Sequence, residues 1–379
     1  MRKNAGDWAE FYVLLKVLGD GKLYSADGDL NTIPGQYFPV ISVEMQKSGL
    51  PAGSNEKLLY TVDTKSKTVE IVDSAGSSVV SMQTLLDEAK DFFEIIKTRA
   101  GRAFAVPEIT PILNKLGNPE TKQSANKKAD IHIVIHDIMT GFENEVGFSI
   151  KSKHSKPATL INASGQTLFQ YKILDGASTG SAKKKEALKV VDDTGAKIGP
   201  KTRVQNLIGS GFKLSFECVK KNEFRENLQL IDSLMDEFLA ECLIVFMTTG
   251  NNSVEAVVNE VAERNPCKYK TKEPDRVLEF YQYKMKRLLT DAALGMQPRA
   301  RWDGTFDASG GYIVVKEVGE VVCYHLFNWN ALQDYLFKNM RFETPSSTGT
   351  GSKSSFNYGL YYEDNAQSYM DICLQLRFK

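Results

Sequence analysis

Apolar residues recur at helical spacing in several separate stretches of the chain. The first stretch begins after Asn4, which together with Asp7 has the spacing of a capping box, and its apolar positions continue to Gly19. Similar spacing predicts helices over about 82–98, 226–245, 254–264 and 277–289. These segments are long enough to contribute helices to a sizeable core.

Other stretches alternate polar and apolar residues, as strands do. The alternation is clearest in ADIHIVIHD (129–137) and EVGFSIKS (145–152), and it also predicts strands at 58–62, 68–72, 310–326 and 369–378. Composition predicts loops at 117–128 and 342–359, and a loop or hairpin at 177–203. The order of elements predicts a mixed α/β core up to about residue 210, followed by a helical region and a β-rich end.

The two clearest strands can form a hairpin that brings an acid and an amine together. With the turn centred on residues 140–141, Asp130 lies opposite Lys151. Alternation places both residues, with Ser149, on the polar face of the sheet. The pair could be an ordinary cross-strand ion pair. Alternatively, a carboxylate that holds Mg²⁺ beside an ammonium that orients water is an arrangement that suits phosphodiester hydrolysis.

Positive charge is concentrated in one part of a neutral chain. Lys and Arg number 47 and Asp and Glu also number 47, which argues against a protein that coats any DNA. Residues 151–203, however, carry eleven basic and four acidic side chains, a local balance of +7. A hydroxyl-rich basic segment of this kind suits contacts with phosphate.

Several other classes of protein find no support in the sequence. The five cysteines are widely spaced, which excludes a zinc-ribbon signature and gives no sign of a disulfide framework. No signal peptide, membrane span, nucleotide-binding glycine loop, HExxH or GxSxG motif is visible. We therefore expect a cytoplasmic protein without a membrane partner.

Residues 129–173 resemble the catalytic segment of PD-(D/E)xK restriction endonucleases, specifically those of the HpaII type. The stretches GDWAEFYVLLKVLGDGKLYSAD, near the start, and FETPSS…YGLYYED…ICLQLRF, at the end, resemble the two ends of that family. The resemblance implies an α/β fold, with a PD-(D/E)xK-like mixed β-sheet core flanked by helices and a helical and β-rich C-terminal elaboration. We expect a nuclease core over 1–210, and a helical region with a β-rich, DNA-contacting part over 211–379.

The same resemblance implies a Mg²⁺-dependent type II enzyme that cuts a short palindromic site in duplex DNA, which for the HpaII type is CCGG. By position, Asp130 matches the metal-binding aspartate of the motif, and Lys151 matches the lysine that orients the attacking water. Ser149 stands where the motif has a second carboxylate. Glu10, in the first helix, is the candidate that could complete the metal site, although it could equally be an exposed glutamate favoured by the helix dipole.

The sequence also gives expectations about which residues contact DNA and which partners the protein has. Residues that could contact DNA are Lys153, Asn162, Ser164, Gln166, Arg299 and Arg301. The middle three could instead form a turn, and the two arginines could brace the fold. Cutting both strands of a palindrome predicts a homodimer, and a host would need a protecting methyltransferase. Two rivals remain open: a structure- or modification-directed nuclease on the same core, and a DNA-binding module without catalysis.

Overall fold

The computed structural model describes residues 2–50, 56–99, 103–120, 128–138, 141–153, 158–175, 181–273, 275–345, 358–365 and 367–379. Contacts between residues divide the chain into two units. The first comprises 1–158, 293–295 and 306–335, and the second comprises 159–292, 296–305 and 336–379. The boundary that we expected near residue 210 therefore falls inside the second unit, and a later segment of the chain returns to the first.

The helices and strands are numbered in chain order. The strands are β1 (Arg2–Lys3), β2 (Lys22–Ala26), β3 (Thr32–Gln46), β4 (Lys57–Asp63), β5 (Thr68–Asp73), β6 (Gly76–Ser81), β7 (Phe104–Ala105), β8 (Ile131–His136), β9 (Glu143–Ser152), β10 (Thr159–Ile161), β11 (Leu168–Leu174), β12 (Lys213–Val219), β13 (Gly311–Val315), β14 (Val321–His325), β15 (Met340–Phe342), β16 (Tyr361–Asp364), β17 (Gln367–Cys373) and β18 (Leu376–Phe378). The α-helices are α1 (Ala5–Asp20), α2 (Met82–Thr98), α3 (Thr110–Lys115), α4 (Ser181–Ala187), α5 (Pro200–Gly209), α6 (Asn222–Ile231), α7 (Met235–Thr249), α8 (Val254–Arg264), α9 (Asp275–Leu294) and α10 (Trp329–Asn339).

The first unit is built on a sheet that closes on itself. Its strand order is β2-β14-β13-β9-β8-β3-β4-β5-β6, and β2 also pairs with β3, so six strands form a closed ring. The ring mixes directions, because β13 runs parallel to β9 whereas β8 and β9 are antiparallel. The fold is therefore mixed α/β, as the sequence predicts. The prediction of a sheet flanked by helices did not anticipate that the sheet closes.

Helix α1 lies inside the hydrophobic core of the first unit. The Asn4 side chain accepts hydrogen bonds from the backbone amides of the first turn, and the helix ends at Asp20, followed by the C-cap Gly21, whose φ of 62° suits a residue without Cβ. The helix is thus one residue longer than the predicted end at Gly19. Nearly every residue between Trp8 and Gly19 is buried, and α1 packs against α2 and β9. A side chain on this helix therefore finds protein on almost every side.

The hairpin of β8 and β9 forms as predicted, but its register differs by two residues. Ile131 pairs with Phe148 and His132 with Gly147, so the strand residues place Asp130 level with Ser149 rather than with Lys151. The predicted pairing of Asp130 with Lys151 was wrong because the turn is centred one residue earlier. The hydrogen bond from the Asp137 amide to the Phe142 carbonyl continues this register towards the turn. A slip of two residues leaves every side chain on its predicted face.

The second unit contains two smaller sheets and most of the helices. The sheet orders are β12-β11-β17-β16 and β10-β18-β15. The helix predicted over 226–245 is in fact two helices, α6 and α7, because the chain turns at Asp232, whose carboxylate accepts from the Leu234 amide. The stretch 177–203 was predicted as a loop or hairpin, but its described part contains α4 and the start of α5. The predicted last strand divides into β17 and β18, which lie in different sheets.

Some predicted features lie largely or partly outside the described residues, namely the loops at 117–128 and 342–359. Strands β2, β3 and β6 were not predicted. In the described parts of the chain, no helix is both long and apolar enough to cross a membrane.

Candidate active site

Asp130 is held at the start of β8 by the neighbouring strand β9. Its amide donates to the Phe148 carbonyl over 2.7 Å. Its Oδ2 accepts hydrogen bonds from the Ile150 amide at 2.6 Å and from the Ser149 hydroxyl at 3.1 Å. The carboxylate is therefore oriented by two donors from β9 that bind the same oxygen, while Oδ1 takes no part in these two bonds.

Lys151 reaches the same hydroxyl from the other side. Its Nζ donates to Ser149 Oγ over 2.7 Å and to the Ile150 carbonyl over 3.1 Å. The Ser149 side chain is buried, so one hydroxyl accepts from the ammonium and donates to the carboxylate. Ser149 thus joins Lys151 to Asp130 in a single chain of hydrogen bonds.

Tyr312 supports Lys151 from the strand on the far side of β9. It pairs with Ser149 in the parallel ladder of β13 and β9, and Lys151 Nζ lies 5.1 Å from the centre of its ring. The ring is almost fully buried, and its phenol donates to the Ala293 carbonyl over 3.4 Å. A buried aromatic face attracts a neighbouring ammonium group through a cation–π interaction.

Glu10 brings a second carboxylate towards Asp130. Burial, with smaller contributions from the charges of Asp130 and Asp7, raises the pKa of Glu10 to about 9, whereas Lys151 and Lys3 act in the opposite direction. Its Oε2 is buried and has no hydrogen-bond partner among the described residues. With this pKa the Glu10 carboxyl group is protonated at neutral pH, and its ionisation beside Asp130 requires a compensating positive charge.

The donor set suits a hard cation that keeps part of its water shell. Across the described ranges, no group of three or more His, Cys, Asp or Glu side chains could hold a metal ion. The oxygens available here are instead the two carboxylates, the Ser149 hydroxyl and the Ile150 carbonyl. Mg²⁺ is commonly bound by one or two carboxylates, with waters and substrate phosphates completing the octahedron. The unsatisfied oxygen of Glu10 fits that requirement.

The other residues that the sequence singled out lie at three places: just after β9, in a turn at 162–167 and in a loop at 297–302. Lys153, just after β9, donates its amide to the Val315 carbonyl. In the second unit, Ser164 accepts from the Gln166 amide and from the Thr167 amide, which is the turn that the sequence offered as one alternative for this segment. The carbonyl of Asn162 accepts a long bond from Thr167. These bonds account for the turn and leave its side chains as candidates for DNA contact.

Arg299 and Arg301 lie on an exposed loop of the second unit. The buried side chain of Asn227 holds this loop, because its amide donates to the carbonyls of Gln297 (3.1 Å) and Ala300 (2.8 Å). Its oxygen accepts from the Trp302 amide at 2.9 Å. One buried amide thus fixes the backbone that carries both exposed arginines.

Several basic side chains of the stretch 151–203 are engaged within the protein rather than presented for contact with DNA. Lys172 pairs with Glu217, and Lys184 pairs with Asp175. Arg203 is buried and donates to two backbone carbonyls. Of these contacts, the Glu217 pair offsets one unit of the local excess of +7, because Asp175 is already counted in that balance and carbonyl groups carry no net charge.

Sequence reasoning missed Tyr312 and Asn227. Tyr312 was placed in a strand, but nothing local shows that β13 joins β9 in parallel, and that pairing brings the ring to Lys151. Asn227 lies on α6 and looks like an ordinary polar helix residue. The helical pattern places Asn227 on the buried side of an amphipathic helix. A buried side-chain amide needs hydrogen-bond partners, and this was the signal in the sequence that could have identified it.

Comparison with known proteins identifies the family. The family described as HpaII restriction endonuclease matches residues 4–378. The type II restriction enzyme HpaII of Haemophilus parainfluenzae is 35% identical over 376 residues, which cover 99% of this chain and 98% of that protein. No solved structure matches the chain. The chain therefore belongs to the HpaII family of type II restriction endonucleases.

Proposed function

We propose that this enzyme hydrolyses both strands of duplex DNA at CCGG with Mg²⁺, using Asp130, Glu10, Ser149 and Lys151. The observation that carries the proposal is the hydrogen-bonded chain from Lys151 through Ser149 to Asp130, beside the unsatisfied carboxylate of Glu10. The resemblance of residues 129–173 to the PD-(D/E)xK catalytic segment supports it. We propose the same core fold for the first unit.

Asp130 and Glu10 are the proposed metal-binding carboxylates. When bound, Mg²⁺ would lower the pKa of a water ligand and offset negative charge on the phosphate. The Asp130 carboxylate is already oriented by the Ile150 amide, so binding requires little rearrangement. Because burial and Asp130 keep Glu10 protonated near neutral pH, a cation bound beside both groups would favour its ionised, metal-binding form.

Lys151 is the proposed group that orients the attacking water. Its ammonium is held by Ser149 and by the Ile150 carbonyl, which fixes its position next to Asp130. A fixed cation at this place stabilises the negative charge that develops as the water oxygen bonds to phosphorus. Ser149 positions both charged groups and does not serve as a metal-binding carboxylate.

DNA contacts are proposed for Lys153, Asn162, Ser164, Gln166, Arg299 and Arg301. The two arginines have the strongest case, because a loop held by a buried amide presents its guanidinium groups with little loss of entropy. Arginine also matches the O6 and N7 edge of guanine. We further propose a homodimer on DNA, a protecting methyltransferase in the same host, and action in the cytoplasm.

The test is digestion of plasmid DNA and of duplexes that contain one CCGG site, with Mg²⁺ or with EDTA. We expect discrete fragments with ends at CCGG, and no cleavage in EDTA. Asp130→Asn and Lys151→Ala should each abolish cleavage while retaining DNA binding, because both groups act mainly on the transition state. Glu94→Gln, on the exposed face of α2, is the matched control and should cut normally.

The rival functions give different products. A structure- or modification-directed nuclease would ignore unmodified CCGG but would cut branched or methylated duplexes. A binding module without catalysis is favoured by one observation, the serine at position 149, and would bind duplex DNA without ever nicking it. Fragments that end at other sequences would contradict the proposed site and leave the family unchanged.

A further inference from the structure

Two arginines lie directly opposite each other in the small sheet of the second unit. Arg341 on β15 pairs with Arg377 on β18 in an antiparallel ladder. Side chains at directly opposed positions share a face, with Cβ atoms about 4.5–5.5 Å apart, and like charges at such positions destabilise a sheet. The opposite face of both strands is apolar and buried, so the two strands cannot easily turn the arginines apart.

One carboxylate serves both guanidinium groups. Glu343 lies 2.8 Å from the Nη1 of Arg377 but 3.6 Å from the Nη2 of Arg341. The three side chains are similarly exposed, at 31% for Arg341, 30% for Glu343 and 27% for Arg377. These three side chains together carry a formal charge of +1 at a position that solvent reaches.

The guanidinium group of Arg341 has no acceptor at hydrogen-bond distance among the described residues. Its ion pair with Glu343 is longer than a hydrogen bond, and its Nε is buried without a partner among the described residues. A guanidinium has five N–H donors, and two-thirds of this side chain is shielded from water. Partly buried N–H donors are expected to have a hydrogen-bond acceptor, and the described residues supply none to the Arg341 side chain.

The surroundings add further positive potential. Ser253 forms a backbone bridge with Arg341 on the other edge of β15, and it is the residue from which helix α8 begins. This bridge places the positive end of the helix dipole beside Arg341. The Ser253 side chain makes no capping bond there. Thr159, which pairs with Arg377 from β10, places a hydroxyl on the same face.

We propose that Arg341 and Arg377 form a phosphate-binding site that contacts the DNA backbone. Arginine guanidinium groups match phosphate oxygens in bidentate geometry, and two of them on one rigid face suit a single phosphate. Glu343 holds the pair in place when DNA is absent, because it offsets one of the two charges. The identification of the phosphate as DNA rests on the proposed function.

The salt dependence of DNA binding tests the site. Affinity for a duplex is measured in EDTA at several salt concentrations for the wild type, Arg341→Gln, Arg341→Lys and Glu343→Gln. One lost phosphate contact should reduce the slope of log affinity against log salt by about 1. Arg341→Lys should keep the slope because it keeps the charge, and Glu343→Gln should strengthen binding at low salt.

A matched ion pair elsewhere provides the control. Arg276 pairs with Glu279 on helix α9, so Arg276→Gln makes the same chemical change at another exposed pair and should leave the slope unaltered. Thermal unfolding of each variant separates loss of the site from loss of the fold. An Arg341→Gln protein that unfolds normally and keeps the wild-type slope would overturn the proposal.

Plasmid digestion, run in parallel, separates this proposal from the proposed function. Normal site-specific cleavage with an unchanged slope contradicts only the phosphate site. If the wild type neither binds nor cuts DNA, the proposed function fails, and inorganic phosphate becomes the probe. Thermal stabilisation by phosphate that Arg341→Gln abolishes would then assign the site to free phosphate, whereas no stabilisation would reject it.

Discussion

Replacing Ser149 with alanine removes the hydroxyl that joins Lys151 to Asp130. The change deletes a buried group that accepts from the ammonium at 2.7 Å and donates to the carboxylate at 3.1 Å. Both charged residues remain, so the variant tests positioning separately from charge. We expect a protein that folds and binds DNA but cuts it slowly.

The structure sets the size of the effect. A hydrogen bond to a charged group contributes about 1.5–3 kcal/mol, and about 1.4 kcal/mol corresponds to a tenfold change in rate. Lys151 keeps the Ile150 carbonyl and Asp130 keeps the Ile150 amide, so the loss should lie at the lower end of that range. We therefore expect cleavage to slow by about 10- to 30-fold, with about 1 kcal/mol lost from the free energy of unfolding.

Single-turnover cleavage with enzyme in excess measures the rate of the chemical step, and binding in EDTA measures affinity for DNA. Ser42→Ala is the matched control, because Ser42 lies on β3 of the same sheet and its side chain makes no hydrogen bond among the described residues. A normal rate for Ser149→Ala would refute the positioning role. So would a loss of affinity as large as the loss of rate.

Three further changes give distinct readouts. Glu10→Gln should lower the single-turnover rate by about 100-fold or more, and should abolish the thermal stabilisation that Mg²⁺ gives the wild type; retained stabilisation would contradict its role as a ligand. Burial lowers the pKa of His325 from 6.5 to about 4, against the opposing charge of Asp137. Because the folded pKa lies below the unfolded one, this contribution of about 3 kcal/mol is complete above pH 6.5 and is lost as the pH falls towards 4. His325→Asn, which keeps an acceptor for the Phe327 amide, should therefore lose less stability in urea between pH 7 and pH 4.5 than the wild type does, and equal losses would contradict the assignment. Asn227→Ala should cost about 2–4 kcal/mol and open the Arg301 loop to limited proteolysis, so an unchanged digestion pattern would show that the loop is held by other contacts.

The hairpin of β8 and β9 was predictable because side-chain alternation is a local property. The strands and the faces of Asp130, Ser149 and Lys151 follow from the period of two along each strand. The register does not, because it depends on the turn, and the observed pairing differs by two residues. The prediction of the shared face survived that error because a two-residue shift preserves the face, whereas a one-residue shift would have reversed it.

The closure of the sheet could not be predicted from local pattern. Strand β3 pairs with β2 near Phe38 and with β8 near Val43, so one long strand belongs to two neighbours. The parallel ladder of β13 with β9 joins segments more than 150 residues apart along the chain. Non-local pairings of this kind carry no sequence signal of their own. Tyr312 was missed for this reason, although its strand was predicted.

The serine at position 149 and the buried glutamate on α1 have one common explanation. A carboxylate at position 149 would lie beside Asp130 Oδ2, where the Ser149 hydroxyl now donates, and two anions there would repel. Serine instead satisfies the aspartate and the lysine together. The second carboxyl group is that of Glu10, whose helix is buried on nearly every side and offers its Oε2 no partner among the described residues. Burial and Asp130 raise the pKa of Glu10 to about 9 despite Lys151 and Lys3, so Glu10 is protonated at neutral pH when no cation is bound. A cation bound beside Asp130 and Glu10 would supply the positive charge that favours ionisation of Glu10, which is why we place the metal between the helix and the hairpin.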